Sequence, residues 1–128
     1  MSATFDIQVD PDRDLVRITL AGFFDLHAIQ SFLAARSEAF ARLRCPISQH
    51  LALSDVREMK IQSQDMVEAF GALLADPRTQ ARRLAFLVGP SLTRSQLQRA
   101  IGGRDAQCFT DEREARRWLL DDSVGRAA

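Results

Sequence analysis

Tyrosine is absent from this 128-residue chain, lysine occurs once (Lys60) and tryptophan once (Trp118). Two cysteines, Cys45 and Cys108, permit neither a disulfide framework nor a four-cysteine metal site. His27 and His50 are the only histidines and fall in different elements. Neither has a thiol or carboxylate at ligand spacing, so both read as surface or boundary residues and no metal is expected. With one lysine and no G-x-G-x-x-G or G-x-x-x-x-G-K-[ST], the nucleotide motifs are missing and no cofactor is expected. The G-x-S-x-G elbow of serine hydrolases is missing too. No apolar run approaches the ~20 residues of a membrane helix. The opening Met-Ser-Ala-Thr-Phe-Asp has neither the basic nor the apolar segment of a signal peptide, which predicts a cytoplasmic protein. Seventeen basic residues balance 17 acidic ones, so no net field draws the chain to nucleic acid or a membrane.

What is present suits one core. The chain is 46% hydrophobic and 27% charged, ordinary for a single domain, taken here as residues 1–122 with 123–128 a frayed tail. Phe5, Ile7 and Val9 alternate with polar residues, Pro11-Asp12-Arg13-Asp14 supplies turn chemistry, and Leu15, Val16, Ile18 and Leu20 lead to Gly22. That is a β-hairpin. From Asp25, a plausible N-cap, Leu26, Ile29, Leu33, Phe40 and Leu43 recur at helical spacing over about five turns. Leu51-Ala52-Leu53 reads as a short buried strand followed by a loop over 56–61. Ser63 caps a second helix, which stops at Asp76-Pro77. Leu84-Ala85-Phe86-Leu87-Val88 is the strongest strand. Leu92, Leu97, Ala100 and Ile101 mark a third helix before Gly102-Gly103, and Gln107-Cys108-Phe109 a last strand. Thr110 then caps a final helix with Ala115, Trp118 and Leu119 inward. The order ββαβαβα(β)α predicts an α/β fold, a mixed sheet with an antiparallel N-terminal hairpin and helices packed on it.

Four places carry candidate chemistry. Gly89-Pro90-Ser91-Leu92-Thr93-Arg94-Ser95 joins a strand end to a helix start, where Ser91 and Arg94 suit an anion and Ser91 alone suits a plain cap. Asp55 ends a central strand near Ser63. It serves either a site or the hydrogen bonding of its own loop. Phe23-Phe24 follow Gly22 at a strand-to-helix junction, either as exposed aromatics or as a seal on the core. Nine arginines face four acids between Arg78 and Arg117. They suit a solvated helix surface with pairs such as Glu112–Arg116 and Glu114–Arg117, or the guidance of a partner. Without clustered aromatics or a helix-turn-helix pattern, nucleic acid is not expected as a partner.

The element order, with Leu51-Ala52-Leu53-Ser54-Asp55-Val56 and the ending Phe109-Thr110-Asp111-Glu112-Arg113-Glu114-Ala115-Arg116-Arg117-Trp118-Leu119, resembles the STAS domains of anti-sigma-factor antagonists. It is most similar to their SpoIIAA-like branch, which is related in fold to the lipid-binding CRAL-TRIO (SEC14) domains. The resemblance implies a sheet with helices on one face, and function by docking to a partner rather than by catalysis. The family's phosphorylated D-S-[ST]-G segment aligns with Lys60-Ile61-Gln62-Ser63, which departs from it at every position, so the phosphoserine switch is not carried over.

Three functions remain. The first is a non-enzymatic interaction module docking a protein partner through 55–66, which predicts an exposed apolar patch there. The second is a domain binding a small apolar molecule or lipid in a pocket lined by residues such as Phe23, Phe24, Phe32 and Phe70. It predicts a closed apolar void of roughly 300 Å³ or more. The third is an enzyme, which requires Asp55 to meet Ser63 or Ser91. The interaction module is the leading expectation, the ligand-binding domain the alternative. The open hairpin edge also invites a homodimer.

Overall fold

Alternation in the first twenty residues becomes a hairpin in which β1 (Thr4–Asp10) runs antiparallel to β2 (Leu15–Gly22) and turns Phe5, Ile7 and Val9 onto the core. The structure, a computed structural model, describes residues 2–89 and 106–121. Asp14 closes the turn at φ +50°, a left-handed conformation that aspartate tolerates better than most residues. Its carboxylate accepts from the backbone N–H groups of Arg44 and Cys45, and its carbonyl from that of Leu51 at 2.8 Å. One aspartate thus ties the hairpin to the chain entering the next strand. At the far end Gly22 has φ +84°, and a Cβ there would strike the backbone carbonyl of Ser2, so only glycine fits.

Helix α1 (Leu26–Phe40) starts at Asp25, whose carboxylate accepts from the Ala28 N–H at 2.8 Å. It spans 15 residues, ending sooner than its apolar spacing predicts, and Leu43 packs on the core from beyond it. Helix α2 (Gln64–Ala75) is capped by Ser63, which accepts from the Met66 N–H at 3.3 Å. Helix α3 (Glu112–Leu119) is capped by Asp111 and not, as predicted, by Thr110. The Asp111 carboxylate reaches the Arg113 N–H at 3.0 Å and brings a negative charge to the positive helix end. The expected third helix, with Ser91 and Arg94, and the expected tail at 123–128 lie outside the described residues.

Strands β3 (Leu51–Met59), β4 (Arg83–Leu87) and β5 (Ala106–Phe109) continue the sheet parallel to β2, in the order β1-β2-β3-β4-β5. This is the mixed sheet that the element order predicts. β3 runs six residues past Leu53, through a stretch read as loop, because β2 pairs with it as far as Gly22–Met59. Pairing of Glu58 with Ala21 and of Met59 with Gly22 keeps this stretch in the strand although the side chains of Arg57 and Glu58 are exposed. The register shifts between Thr19–Asp55 and Ala21–Glu58, giving β3 one extra residue. A bulge of this kind reverses the alternation, so Val56 and Met59 both turn to the same face.

The sheet is covered on both sides. Val16, Ile18, Leu20, Ala52, Leu84 and Phe86 pack with Ile29 and Phe32 of α1 and Met66 of α2. On the opposite face Leu15, Leu51, Leu53, Ala85 and Leu87 pack with Ala115 and Leu119 of α3. The resemblance implied helices on one face only, and α3 corrects it. Burial on both faces is also why β3 and β4 are apolar at successive positions rather than at alternate ones.

Candidate functional site

The sheet face beneath α2 is incompletely filled. Helix α2 buries only Met66 fully, and its backbone does not approach the strands as α1 approaches β1 or α3 approaches β3, β4 and β5. Between them lies a cavity of about 190 Å³, partly open to solvent. Its floor includes Ile18, Ala52 and Phe86, its roof Phe70 and Leu74, and its wall Phe32 and Phe40. It is smaller and less closed than the void expected from the phenylalanine content.

Two predicted lining residues are not part of it. Phe24 is 0% exposed and packs edge-on against Phe70, ring centroids 5.4 Å apart, so it is no surface aromatic. Phe23 is 45% exposed and does not line the cavity. Gln62 produces this split and had no signal in the sequence beyond being polar. Its amide oxygen accepts from the Phe24 N–H at 2.8 Å, and its amide nitrogen donates to the carbonyls of Gly22 and Lys60. The junction is held with one ring in and one out.

The polar groups lining the cavity are cationic or neutral. Arg36 lies over the Phe40 ring, 5.3 Å from its centroid. Burial lowers its guanidinium pKa from the ordinary value, partly offset by attraction to Asp76. His50, expected at a boundary, is 1% exposed. Its ring stacks at a tilt on Phe40, 4.8 Å between centroids, and its Nδ1 accepts from the Ser48 N–H. The Thr79 hydroxyl is buried and has no hydrogen-bond partner.

Asp55 belongs to the other face. Arg57 grips its carboxylate with two guanidinium nitrogens at 2.9 and 2.8 Å, and Arg17 adds a third contact at 3.2 Å. These hydrogen bonds, Arg57's first, hold the Asp55 carboxyl below its usual range against the opposing effect of burial. Arg17 also pairs with Glu112, which bonds Arg116 at 2.9 Å, the (i, i+4) pair predicted on this helix. The hydroxyl of Ser63 is engaged in its cap. Asp55 and Ser63 therefore do not meet. Among the described residues no three His, Cys, Asp or Glu side chains converge as a metal would require, and no helix is long and apolar enough to cross a membrane.

No family model matches the chain, and no curated protein matches it. Among solved structures it is similar to an uncharacterized protein of the DUF3478 family with a SpoIIAA-like fold from Shewanella loihica PV-4. The two superpose with a TM-score of 0.69 over 92% of this chain and 94% of the other, at 18% identity. At that identity the match speaks for the path of the backbone. Together with the sheet order and the helix layers, it shows that this chain has a SpoIIAA-like fold.

Proposed function

We propose that this chain is a non-catalytic binding module of the STAS type whose cavity between the sheet and α2 takes up a small, largely apolar ligand. The cavity carries this reading. A largely apolar space of about 190 Å³ that opens to solvent lets a fitting apolar ligand bury its own surface and that of the lining together. Its size favours one ring or a short chain over a two-chain lipid, since a cavity of about 150 Å³ accommodates benzene. The pinning of Asp55 in ion pairs and of Ser63 in a helix cap argues against a hydrolytic site built on them.

Titration with toluene followed by amide NMR tests the proposal. Saturable shifts are expected at Ala52, Phe70 and Gly71, and Gly71→Leu, which grows a side chain from a cavity-lining position where a Cβ meets nothing within 4 Å, is expected to abolish them. No saturable binding, or equal binding by the variant, would overturn it.

A second reading, docking of a protein partner over 55–66, has one observation in its favour. Ile61 is 74% exposed within that segment, at the end of the sheet where Phe23 is also exposed. Ile61→Asp should abolish association with such a partner.

A further inference from the structure

The charge of the cavity specifies its ligand further, and this step rests on the reading of the cavity as a binding site. Among the described residues no Asp or Glu lines it, yet two cations, Arg36 and Lys60, do. Arg36 has no carboxylate within ion-pair distance and no protein acceptor for its N–H groups among the described residues. It lies over the Phe40 ring and feels the more distant Asp76. Asp76 is already gripped by Arg78 through two nitrogens at 3.1 and 3.0 Å. A guanidinium carries five donors in a planar fork that matches a carboxylate, and a partly desolvated one without an acceptor is costly.

The last turns of α1, the chain entering β3 at His50 and the turn leading into β4 meet at the Arg36 end of the cavity. The Thr79 hydroxyl in that turn is fully buried and so does not itself border the space. Arg36 is therefore the unmatched donor group on this stretch of a largely apolar lining.

We infer that the ligand is a small monocarboxylate with an apolar body of about one aromatic ring or six carbons, its carboxylate held by Arg36. One guanidinium suits a single negative charge. Lys60 belongs to the opposite end of the cavity, where β3 ends and α2 begins, so a dianionic headgroup would not be matched by two cations at one point.

The test is calorimetric titration of the full chain with phenylacetate and hexanoate, against their neutral amides and hexyl phosphate. The carboxylates are expected to bind roughly ten- to a hundredfold more tightly than the amides, the range set by a charge-assisted hydrogen-bond pair. Arg36→Gln should erase that advantage, and Arg36→Lys should retain part of it. The comparison of ligands on the unaltered chain needs no variant to fold. Equal affinity for amide and carboxylate, or tighter binding of hexyl phosphate, overturns the carboxylate assignment and leaves the cavity reading standing. Failure of every probe, toluene included, overturns both.

Discussion

Arg17 on β2 and Glu112 at the start of α3, 95 residues apart in the chain, form a two-point ion pair, Nε to Oε2 at 3.1 Å and Nη2 to Oε1 at 2.8 Å. The pair anchors the only described helix on that face of the sheet. It also binds Asp55 into the same group through Arg17.

Its pH dependence follows from the carboxyl groups. The hydrogen bond from Arg17, opposed by burial and aided by Arg116, lowers Glu112 from an ordinary 4.5 to about 2. A lowered carboxyl stabilises the fold fully above its unfolded value and loses that contribution as pH falls through the folded one. Stability should therefore drop between pH 4.5 and about 2, with Asp55 adding in the same direction. With partial exposure discounted, Glu112→Gln should cost about 1–2 kcal/mol at neutral pH and flatten the acid limb of urea-denaturation midpoints. An unchanged acid limb would contradict the pairing.

Arg83 is 2% exposed and closes the other end of α3. Its Nη1 donates to the carbonyls of Trp118, Leu119 and Asp121 at 2.9, 3.3 and 3.0 Å, and its guanidinium lies 5.8 Å from the Trp118 ring centroid. Arg83→Met keeps the bulk and removes the donors from carbonyls at a helix C-terminus. A loss of about 2–3 kcal/mol is expected by chemical denaturation, with a red-shifted Trp118 emission reporting detachment of the helix.

Two glycines should respond with opposite sign. Gly22→Ala meets both a left-handed backbone and the Ser2 carbonyl and should cost about 1–3 kcal/mol. Gly71→Ala lies inside α2 with nothing near its added methyl and should gain about 0.5–1 kcal/mol from helix propensity. Thermal melts of the two variants in parallel check the contrast.

Thr79→Val replaces a buried, unpartnered hydroxyl with a methyl of the same shape. The protein should become more stable by about 1 kcal/mol, because a desolvated donor disappears. A destabilised variant in calorimetry would mean that the hydroxyl has a partner in solution.

Much of the backbone was legible from residue spacing. The hairpin, the caps at Asp25 and Ser63, the stop before Pro77 and the buried strand at Leu84 each express local rules within a few residues of one another. Where local signals were weak or competed, the reading slipped. Thr110 and Asp111 are adjacent cap residues, and geometry chose the charged one. Arg57 and Glu58 look like loop, and the pairing of Glu58 and Met59 with β2 carries the strand through them.

Sequence alone thus determined the kind and order of the described elements, since periodicity and capping are properties of neighbours along the chain. Tertiary structure decided which face each helix covers, the burial of His50 against Phe40, the pairing of Arg17 with Glu112, and the space left beneath α2 beside Arg36. Periodicity says that a side is apolar and not what will meet it. A cavity is a mismatch between surfaces that lie far apart in sequence, and it exists only once those surfaces are brought together.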